Sequence, residues 1–248
     1  MIKRWLRRLQ GKDDSFQDWR KRNPHKPFRE YYAERAERTL RKLKPHRTWG
    51  SNLLLNREFG RSGADFLDTL VQLGLKPQDV CVDYGCGTLR VGIHLINFLR
   101  PEAYWGLDVT DFVLQEGRKL AGDRLWSEKR PQLRVISAET VSEVAASRPI
   151  MVFAHRVLNH VHPDELSEFF ENILEITGSP GQAIITGNWS DGETIQKNQH
   201  RWTHSITRIG ERVEAKGGVL EIIGKQGSLQ TEELRRSGLL RIVRARRI

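Results

Sequence analysis

The stretch Val80–Gly92, VCVDYGCGTLRVG, places a short apolar segment directly before two closely spaced glycines. A short apolar run predicts a buried strand, and the apolar positions after the glycines recur at helical spacing. Gly85 and Gly87 remove side chains where a backbone turns tightly or approaches a ligand. The stretch therefore predicts a strand, a ligand-binding turn and a helix.

The charge in this turn indicates what kind of ligand it binds. A dinucleotide-binding turn carries a third glycine three residues after the second, and here that position holds Arg90. The carboxylate of Asp83 would repel a pyrophosphate, whereas it suits a cation such as the amino group of S-adenosylmethionine. Asp108 ends the next predicted strand, where an acid can accept hydrogen bonds from both ribose hydroxyls.

Short apolar strands alternate with amphipathic helices along the rest of the chain. We predict strands at 80–82, 103–109, 132–138, 149–155, 182–188, 218–224 and 239–245, and helices at 27–43, 64–74, 91–100, 111–121, 166–178 and 204–216. This alternation predicts an α/β fold with a doubly wound, mostly parallel, seven-stranded sheet. Ligands of such sheets bind outside the carboxyl ends of the strands. A basic helical extension over 1–60 precedes this domain, which spans 61–248.

The segments VCVDYGCGTLR and YWGLDVT resemble the class I S-adenosylmethionine-dependent methyltransferases. The family motif D-x-G-C-G-T-G is matched by Asp83, Gly85, Cys86, Gly87 and Thr88, and Leu89 replaces its last glycine. Asp108 matches the family's ribose-binding acid. The stretch FAHRVLNHVHPDELSEFF, residues 153–170, looks like the family's segment after the fourth strand. The resemblance implies S-adenosylmethionine as cofactor and direct transfer of its methyl group to a nucleophile.

The resemblance also implies a set of cofactor contacts around the turn and the ends of the next strands. Ala138 and Glu139 follow the third strand, where they are expected to line the adenine, and the alternative for Glu139 is an acid at a helix start. The expected cofactor-binding residues are Asp83, Gly85, Cys86, Gly87, Thr88, Asp108, Val109, Ala138, Glu139 and His155.

Two histidines after the fourth strand are the candidate catalytic residues. His155 and His160 lie close together in the sequence. A histidine side chain is available in its neutral form near pH 7. His160 is expected to act as a general base or to contact the substrate, and the alternative is that it packs against the following helix. His162-Pro163-Asp164 predicts the start of that helix. No acidic ligands stand at a diagnostic spacing from these histidines, so we expect no metal.

Four further residues are expected on the acceptor side: Arg90, Arg156, Asn188 and Trp189. Arg90 lies at the start of a predicted helix, where the helix dipole disfavours a cation, and this favours a role in binding a carboxylate or phosphate. The polar segment after the fifth strand is expected to be a loop that covers the substrate. Trp189, within it, is expected to stack on a substrate or to cover the core.

The net charge of +10 is concentrated at one end of the chain. Residues 1–50 hold 16 Lys and Arg against 6 Asp and Glu, and the other residues hold 25 of each. Ile2, Trp5, Leu6 and Leu9 predict a short basic amphipathic helix. Such an arm indicates either a solvated helix face or an anionic partner.

Taken with the resemblance, the favoured function is a methyltransferase for a small-molecule or glycan acceptor. The alternatives are an RNA methyltransferase that uses the basic arm, or a non-enzymatic protein docked to a membrane or partner.

The remaining composition indicates an ordinary cytoplasmic protein. No apolar run reaches the ~18–20 residues of a membrane span, and the basic N-terminus lacks the apolar core of a signal peptide. Cys81 and Cys86 are too few and too close for a disulfide framework, and reduced thiols fit the cytosol.

Overall fold

The structure is a computed structural model that describes residues 15–42, 57–224 and 238–245. The amphipathic helix predicted from Ile2 to Leu9 lies outside these residues. The predicted boundary between residues 60 and 61 falls inside a helix, Arg57–Gln72. No helix of the described residues is long and apolar enough to cross a membrane.

A seven-stranded sheet forms the centre of the molecule. Its strands are β1 (Cys81–Tyr84), β2 (Tyr104–Asp108), β3 (Gln132–Val135), β4 (Met151–His155), β5 (Gln182–Gly187), β9 (Gly218–Gly224) and β10 (Gly238–Arg244). They lie in the order β3-β2-β1-β4-β5-β10-β9. Strands β1 to β5 are all parallel to their neighbours among these five, and β10 runs antiparallel to both β5 and β9. The mostly parallel sheet predicted from the alternation of elements is therefore confirmed.

Helices cover both faces of the sheet because its central strands are apolar on both sides. The helices are α1 (Phe16–Arg22), α2 (Phe28–Lys42), α3 (Arg57–Gln72), α4 (Gly92–Phe98), α5 (Asp111–Ala121), α6 (Asp123–Lys129), α7 (Ala138–Ala146), α8 (Leu166–Thr177) and α9 (Ile206–Glu214). One buried cluster joins α3, α4 and α5 to one face, and a second joins α7, α8 and α9 to the other. The sequence prediction lacked α6 and α7.

The polar segment after β5 is not the loop that we predicted. It folds into a second small sheet of β6 (Trp189–Ser190), β7 (Ile195–Asn198) and β8 (Arg201–Ser205), in the order β6-β8-β7. The following helix begins at Ile206, two residues later than predicted. The side chain of Ser205 accepts a hydrogen bond from the Arg208 amide, and this cap fixes the helix start.

Helices α1 and α2 are held against the body by an aromatic cluster. Trp19, Phe28 and Tyr31 are buried with Trp202 of β8. The rings of Phe28 and Trp202 meet edge to face with centroids 4.9 Å apart, a geometry that adds about 0.5–1.5 kcal/mol to the effect of burial. The amide of Arg29 donates to the Glu165 carboxylate (3.1 Å), which supplies an acceptor for an otherwise orphaned donor at the start of α2.

Candidate active site

The turn after β1 takes its shape from two glycines in the left-handed region. Gly85 has φ +81° and Gly87 has φ +56°. A Cβ on Gly85 would lie 2.4 Å from Cγ2 of Val157, whereas a Cβ on Gly87 would meet nothing within 4 Å. Gly85 is therefore required by both its conformation and the close approach of Val157, and Gly87 by its conformation alone.

Leu89, the departure from the family motif, adopts the conformation that a glycine would. Its φ is +66°, a region that costs a non-glycine residue of the order of 1 kcal/mol. The side chain is 2% exposed, and its position allows no side chain on Gly92 of α4 or Gly117 of α5. A Cβ on either glycine would lie 3.0 Å or less from a Leu89 atom. Packing between these two helices thus offsets the backbone strain.

Asp83 is buried at the end of β1. Its Oδ2 accepts a hydrogen bond from the Tyr104 hydroxyl (3.0 Å). Burial raises the pKa of its carboxyl to about 8, with a smaller contribution from the negative charge of Asp108, although the Tyr104 hydrogen bond and the positive charge of Arg90 oppose the shift. A bound cation would favour the ionised form of this carboxyl.

Asp108, at the end of β2, faces the turn. Its Oδ2 accepts from the Gly87 amide (2.9 Å) and its Oδ1 from the Val109 amide (2.8 Å). Burial raises the pKa of Asp108 to about 6, and these amides limit the shift. Because Asp108 hydrogen-bonds directly to the turn, the ends of β1 and β2 form one unit, which we call the floor: residues 83–90 with Asp108.

A cavity of about 760 Å³ opens above the floor. This volume is in the range of sites for small ligands, ~300–1,000 Å³. Of the expected cofactor residues, the structure brings to this cavity Asp83, Gly85, Cys86, Gly87, Thr88, Asp108, Val109 and His155. One face of α2, hereafter the lid helix, also lines the cavity through Tyr32, Arg35, Ala36 and Thr39.

The lid helix is the main part of the site that sequence reasoning missed. Its cavity residues stand at i, i+3, i+4 and i+7 from Tyr32, the spacing of one helix face. Burial, followed by the negative charge of Asp108, raises the pKa of the Tyr32 hydroxyl, so this side chain lies within electrostatic range of the floor. The i, i+3, i+4, i+7 spacing was present in the sequence, but it mixes polar with apolar residues and gives no apolar periodicity.

His155 ends β4 on the cavity wall. Its Nδ1 is hydrogen-bonded to Thr186 Oγ1 (3.0 Å), and its ring lies 4.2 Å from that of Phe66. The buried Nε2 has no hydrogen-bond partner in the part of the chain that the structure describes. Burial, with repulsion from Arg90 and Arg156, lowers the pKa of His155 well below its ordinary value.

His160 also lines the cavity, at the end of a 3-10 turn, Leu158–His160. Its Nδ1 lies 3.0 Å from the carbonyl oxygen of His200. A carbonyl only accepts, so Nδ1 carries the hydrogen and Nε2 carries the lone pair. Burial, together with repulsion from Arg201, His200 and Arg35, lowers the pKa of His160 to about 4. The neighbouring His162 caps the turn Pro163–Glu165 and accepts from the Asp164 amide, as predicted.

Arg90 and Arg156 both reach the cavity, as expected. Arg156 has φ +63°, a strained conformation for a non-glycine residue. Its amide donates to Thr186 Oγ1 (2.9 Å) and to the Thr186 carbonyl (3.3 Å). The chain therefore bends sharply after His155 and directs the next residues along the cavity.

Four expected site residues do not line the cavity. Ala138 and Glu139 lie exposed in the first turn of α7, because Ser137 caps that helix immediately after β3. Ile136 lines the cavity instead. Trp189 packs over Gly238 of β10, and Asn188 is exposed, because pairing of β6 with β8 turns this segment away from the site.

The polar atoms of the floor fit a bound nucleoside cofactor. The buried Thr88 hydroxyl, like Nε2 of His155, has no hydrogen-bond partner among the described residues, and both residues line the cavity. Orphaned buried polar atoms are rare in folded proteins and indicate a missing ligand or water. The described residues contain no group of three or more His, Cys, Asp or Glu that could hold a metal ion.

No protein-family model and no curated protein matches this chain in sequence. Solved structures do match it in fold. Magnesium protoporphyrin IX methyltransferase from Synechocystis PCC 6803, crystallised with bound S-adenosylmethionine, is 16% identical with a TM-score of 0.58, and the match covers 88% of this chain and 95% of that one.

Two further structures match over similar lengths. The 1,6-didemethyltoxoflavin-N1-methyltransferase of Burkholderia thailandensis, with its substrate and S-adenosylhomocysteine, is 18% identical with a TM-score of 0.52, covering 78% of this chain and 81% of that one. An S-adenosylmethionine-dependent methyltransferase from Clostridium acetobutylicum ATCC 824 is 11% identical with a TM-score of 0.52, covering 88% and 99%. The chain therefore has the fold of the class I S-adenosylmethionine-dependent methyltransferases, as expected from the sequence.

Proposed function

We propose that this protein transfers a methyl group from S-adenosylmethionine to a small-molecule acceptor. The observation that carries the proposal is the floor itself: a glycine turn, held between two buried acids, lines a cavity of about 760 Å³ at the carboxyl edge of the sheet. The fold supports it, since structures that match it were crystallised with S-adenosylmethionine or S-adenosylhomocysteine.

The floor would hold the cofactor through three kinds of contact. Asp108 would accept the ribose hydroxyls, and the turn from Gly85 to Thr88 would approach the nucleoside closely. Asp83 would take the cationic amino group, which would keep its carboxyl ionised despite burial. The unpartnered Thr88 hydroxyl is available for a polar group of the same ligand, since none of the described residues bonds to it.

The bound cofactor would supply an electrophilic methyl group on a positively charged sulfur. The protein would then contribute mainly by positioning, since alignment of the two reactants can supply much of the rate enhancement. The lid helix would exclude water from the cavity. Nε2 of His160 would hold the proton that a hydroxyl or amine nucleophile gives up, because the hydrogen bond from its Nδ1 to the His200 carbonyl leaves the lone pair on Nε2.

The size of the cavity favours a small acceptor over a macromolecule. Its volume suits a small ligand, and matching structures include enzymes named for magnesium protoporphyrin IX and for 1,6-didemethyltoxoflavin. The basic amphipathic helix that motivated the RNA and membrane alternatives lies outside the described residues. We therefore propose neither of these alternatives, and we do not propose a glycan acceptor.

Isothermal titration calorimetry with S-adenosylmethionine tests the proposal. We expect saturable binding by the wild-type protein and a loss of about 100-fold or more in affinity for Asp108→Ala, which removes both the ribose acceptor and the anchor of the turn. Asp68→Ala, an exposed acid on α3, is the matched control and should bind like the wild type. An absence of binding by the wild type, or equal binding by Asp108→Ala, would refute the proposal.

A further inference from the structure

The turn that carries His160 is held in place by one later segment of the chain. This turn, Leu158–His160, is a single 3-10 turn. Such a turn makes few hydrogen bonds of its own, so its position depends on contacts with other segments. Residues 188–204, which lead from β5 through the small sheet into β8, supply those contacts.

His204 of β8 donates to the backbone on both sides of His160. Its Nε2 lies 3.2 Å from the Leu158 carbonyl oxygen and 3.1 Å from the Val161 carbonyl oxygen. Carbonyl oxygens only accept, so Nε2 carries the hydrogen and shares it between the two oxygens. The His204 side chain is fully buried. One buried imidazole therefore fixes both ends of the segment 158–161.

This use of His204 has a cost. With the hydrogen on Nε2, Nδ1 carries a lone pair, and this buried atom has no hydrogen-bond partner among the residues that the structure describes. Burial lowers the pKa of His204, against the opposing effect of the two carbonyl groups, so the ring is neutral at pH 7. A buried polar atom without a partner destabilises a fold and is rare in native proteins. A requirement to hold the turn explains why a histidine stands here despite that cost.

Asn159 holds the middle of the turn. Its Nδ2 donates to the Trp202 carbonyl (3.0 Å) and to the Asn188 carbonyl (3.4 Å), and its Oδ1 accepts from the Asn188 amide (3.4 Å). Asn159 is buried, and a Cβ on Gly187 would lie 3.4 Å from its Oδ1. The carboxamide thus uses donor and acceptor atoms together to join the turn to β8 and to the residue that follows β5.

The ring of His160 completes this arrangement, because its Nδ1 donates to the His200 carbonyl (3.0 Å). We propose that His204 and Asn159 are positioning residues, which hold the turn so that His160 keeps its hydrogen on Nδ1 and presents the Nε2 lone pair to the methyl acceptor. This inference rests on the proposed function, in which His160 takes a proton. Neither His204 nor Asn159 is among the described residues that line the cavity, so both would act through His160 and not on a ligand.

Nitrogen NMR of the histidine rings tests the inference on the wild type. Long-range proton–nitrogen correlation spectra show which ring nitrogen carries the hydrogen, and a pH titration gives the pKa of each ring. The geometry predicts opposite tautomers, with the hydrogen on Nδ1 of His160 and on Nε2 of His204, and a His160 pKa of about 4. A hydrogen on Nε2 of His160, or on Nδ1 of His204, would overturn the inference without any substitution.

Four variants separate positioning from general stability. His204→Leu removes the donor to the two carbonyl groups, and His204→Gln keeps an amide donor at the reach of Nε2. Asn159→Ala removes the carboxamide. Thr177→Val is the matched control, because it removes a buried hydrogen bond, from Thr177 Oγ1 to the Ile173 carbonyl, at the C-terminal end of α8.

We expect His204→Leu and Asn159→Ala to bring the second tautomer of His160 into the spectrum. Its pKa should rise by about 1 or more, because a displaced turn admits water to the ring and relieves the effect of burial. His204→Gln should keep most of the wild-type tautomer, and Thr177→Val should change neither property. The affinity for S-adenosylhomocysteine, measured by calorimetry, should stay within about threefold of the wild type in every variant.

An unchanged tautomer and pKa of His160 in His204→Leu and Asn159→Ala would contradict the inference, as would the same changes in Thr177→Val. So would His204→Gln behaving like His204→Leu, or a large loss of S-adenosylhomocysteine affinity in both His204→Leu and Asn159→Ala. If His204→Leu does not fold, Asn159→Ala and the wild-type spectra still decide the matter. The proposed function fails separately, if the wild type does not bind S-adenosylmethionine.

Discussion

The cavity is enclosed by two regions that are built in different ways: the floor, residues 83–90 with Asp108, and the lid helix, Phe28–Lys42. The floor is a local structure, in which two positive-φ glycines and the hydrogen bond from the Gly87 amide to Asp108 fix the backbone. The lid helix is positioned from a distance, by the packing of Phe28 on Trp202 and by the Glu165 carboxylate. Changes that displace the backbone of the floor should therefore affect affinity directly, and changes under the lid helix should affect the rate at which ligand leaves.

Gly85→Ala should have the largest effect. Its Cβ would lie 2.4 Å from Val157 at a φ of +81°, so the turn would have to move. We expect S-adenosylmethionine affinity to fall at least about 100-fold and stability by about 2–3 kcal/mol. Gly74→Ala, also at positive φ (+103°) but with nothing within 4 Å, should lose about 1 kcal/mol of stability and no affinity. Calorimetry measures the affinity, and denaturant unfolding measures the stability. Equal affinity losses in the two variants would contradict the proposal that the turn at Gly85 binds the cofactor.

Leu89→Gly would restore the glycine of the family motif, and we expect it to destabilise the protein nonetheless. Relief of the left-handed strain returns about 1 kcal/mol, but removal of a buried leucine side chain typically costs about 2–5 kcal/mol. Urea unfolding should therefore show a net loss of a few kcal/mol, with S-adenosylmethionine affinity within a few-fold of the wild type. A more stable variant would show that the packing between α4 and α5 does not explain this residue.

Phe28→Ala should loosen the lid helix. Loss of the Phe28 ring leaves a void beside Trp202 and should cost about 3 kcal/mol of packing. We expect S-adenosylhomocysteine to dissociate about tenfold faster in surface plasmon resonance, since about 1.4 kcal/mol corresponds to a factor of ten. Phe170→Ala, in the core between the sheet and α8, should lose comparable stability without this kinetic change. Equal dissociation rates in the two variants would show that the lid helix does not control the release of the ligand.

The effect of Asp83→Asn on stability should depend on pH. The folded wild type retains the Asp83 proton up to a pKa of about 8, whereas the unfolded chain releases it near 3.8, so ionisation of Asp83 destabilises the wild type progressively between these values. The amide of the substituted side chain keeps an acceptor oxygen for the Tyr104 hydroxyl. We expect the variant to melt at a higher temperature than the wild type at pH 8 and at the same temperature near pH 4.

The same variant should lose affinity for S-adenosylmethionine at pH 8, because the amide carries no charge for the amino group. Asp68→Asn on α3 should follow the wild type in both measurements. A stability gain that does not change with pH would show that the Asp83 carboxyl is not responsible for it.

The floor could be predicted from sequence because its determinants are local. A strand, an acid and two glycines within Val80–Gly92 specify the turn, and the alternation of elements indicates the parallel sheet around it. Ala138 and Glu139 do not line the cavity, because Ser137 starts a helix directly after β3, a boundary that depends on one capping hydrogen bond (3.1 Å).

The walls of the cavity could not be predicted in the same way. Tyr32 meets His160 through a contact between segments that are far apart in sequence, and nothing in the local sequence indicates this pairing. Trp189 was expected at the site because it follows β5. It packs instead over Gly238, a residue of β10, which comes much later in the sequence.

Hydrogen exchange with and without S-adenosylhomocysteine, read by mass spectrometry, tests most directly that the cofactor lies on the floor beneath the lid helix. The account predicts slower exchange on ligand addition at residues 84–92 and along Phe28–Lys42, with no change in α6, Asp123–Lys129. Unchanged exchange at residues 84–92 would contradict it.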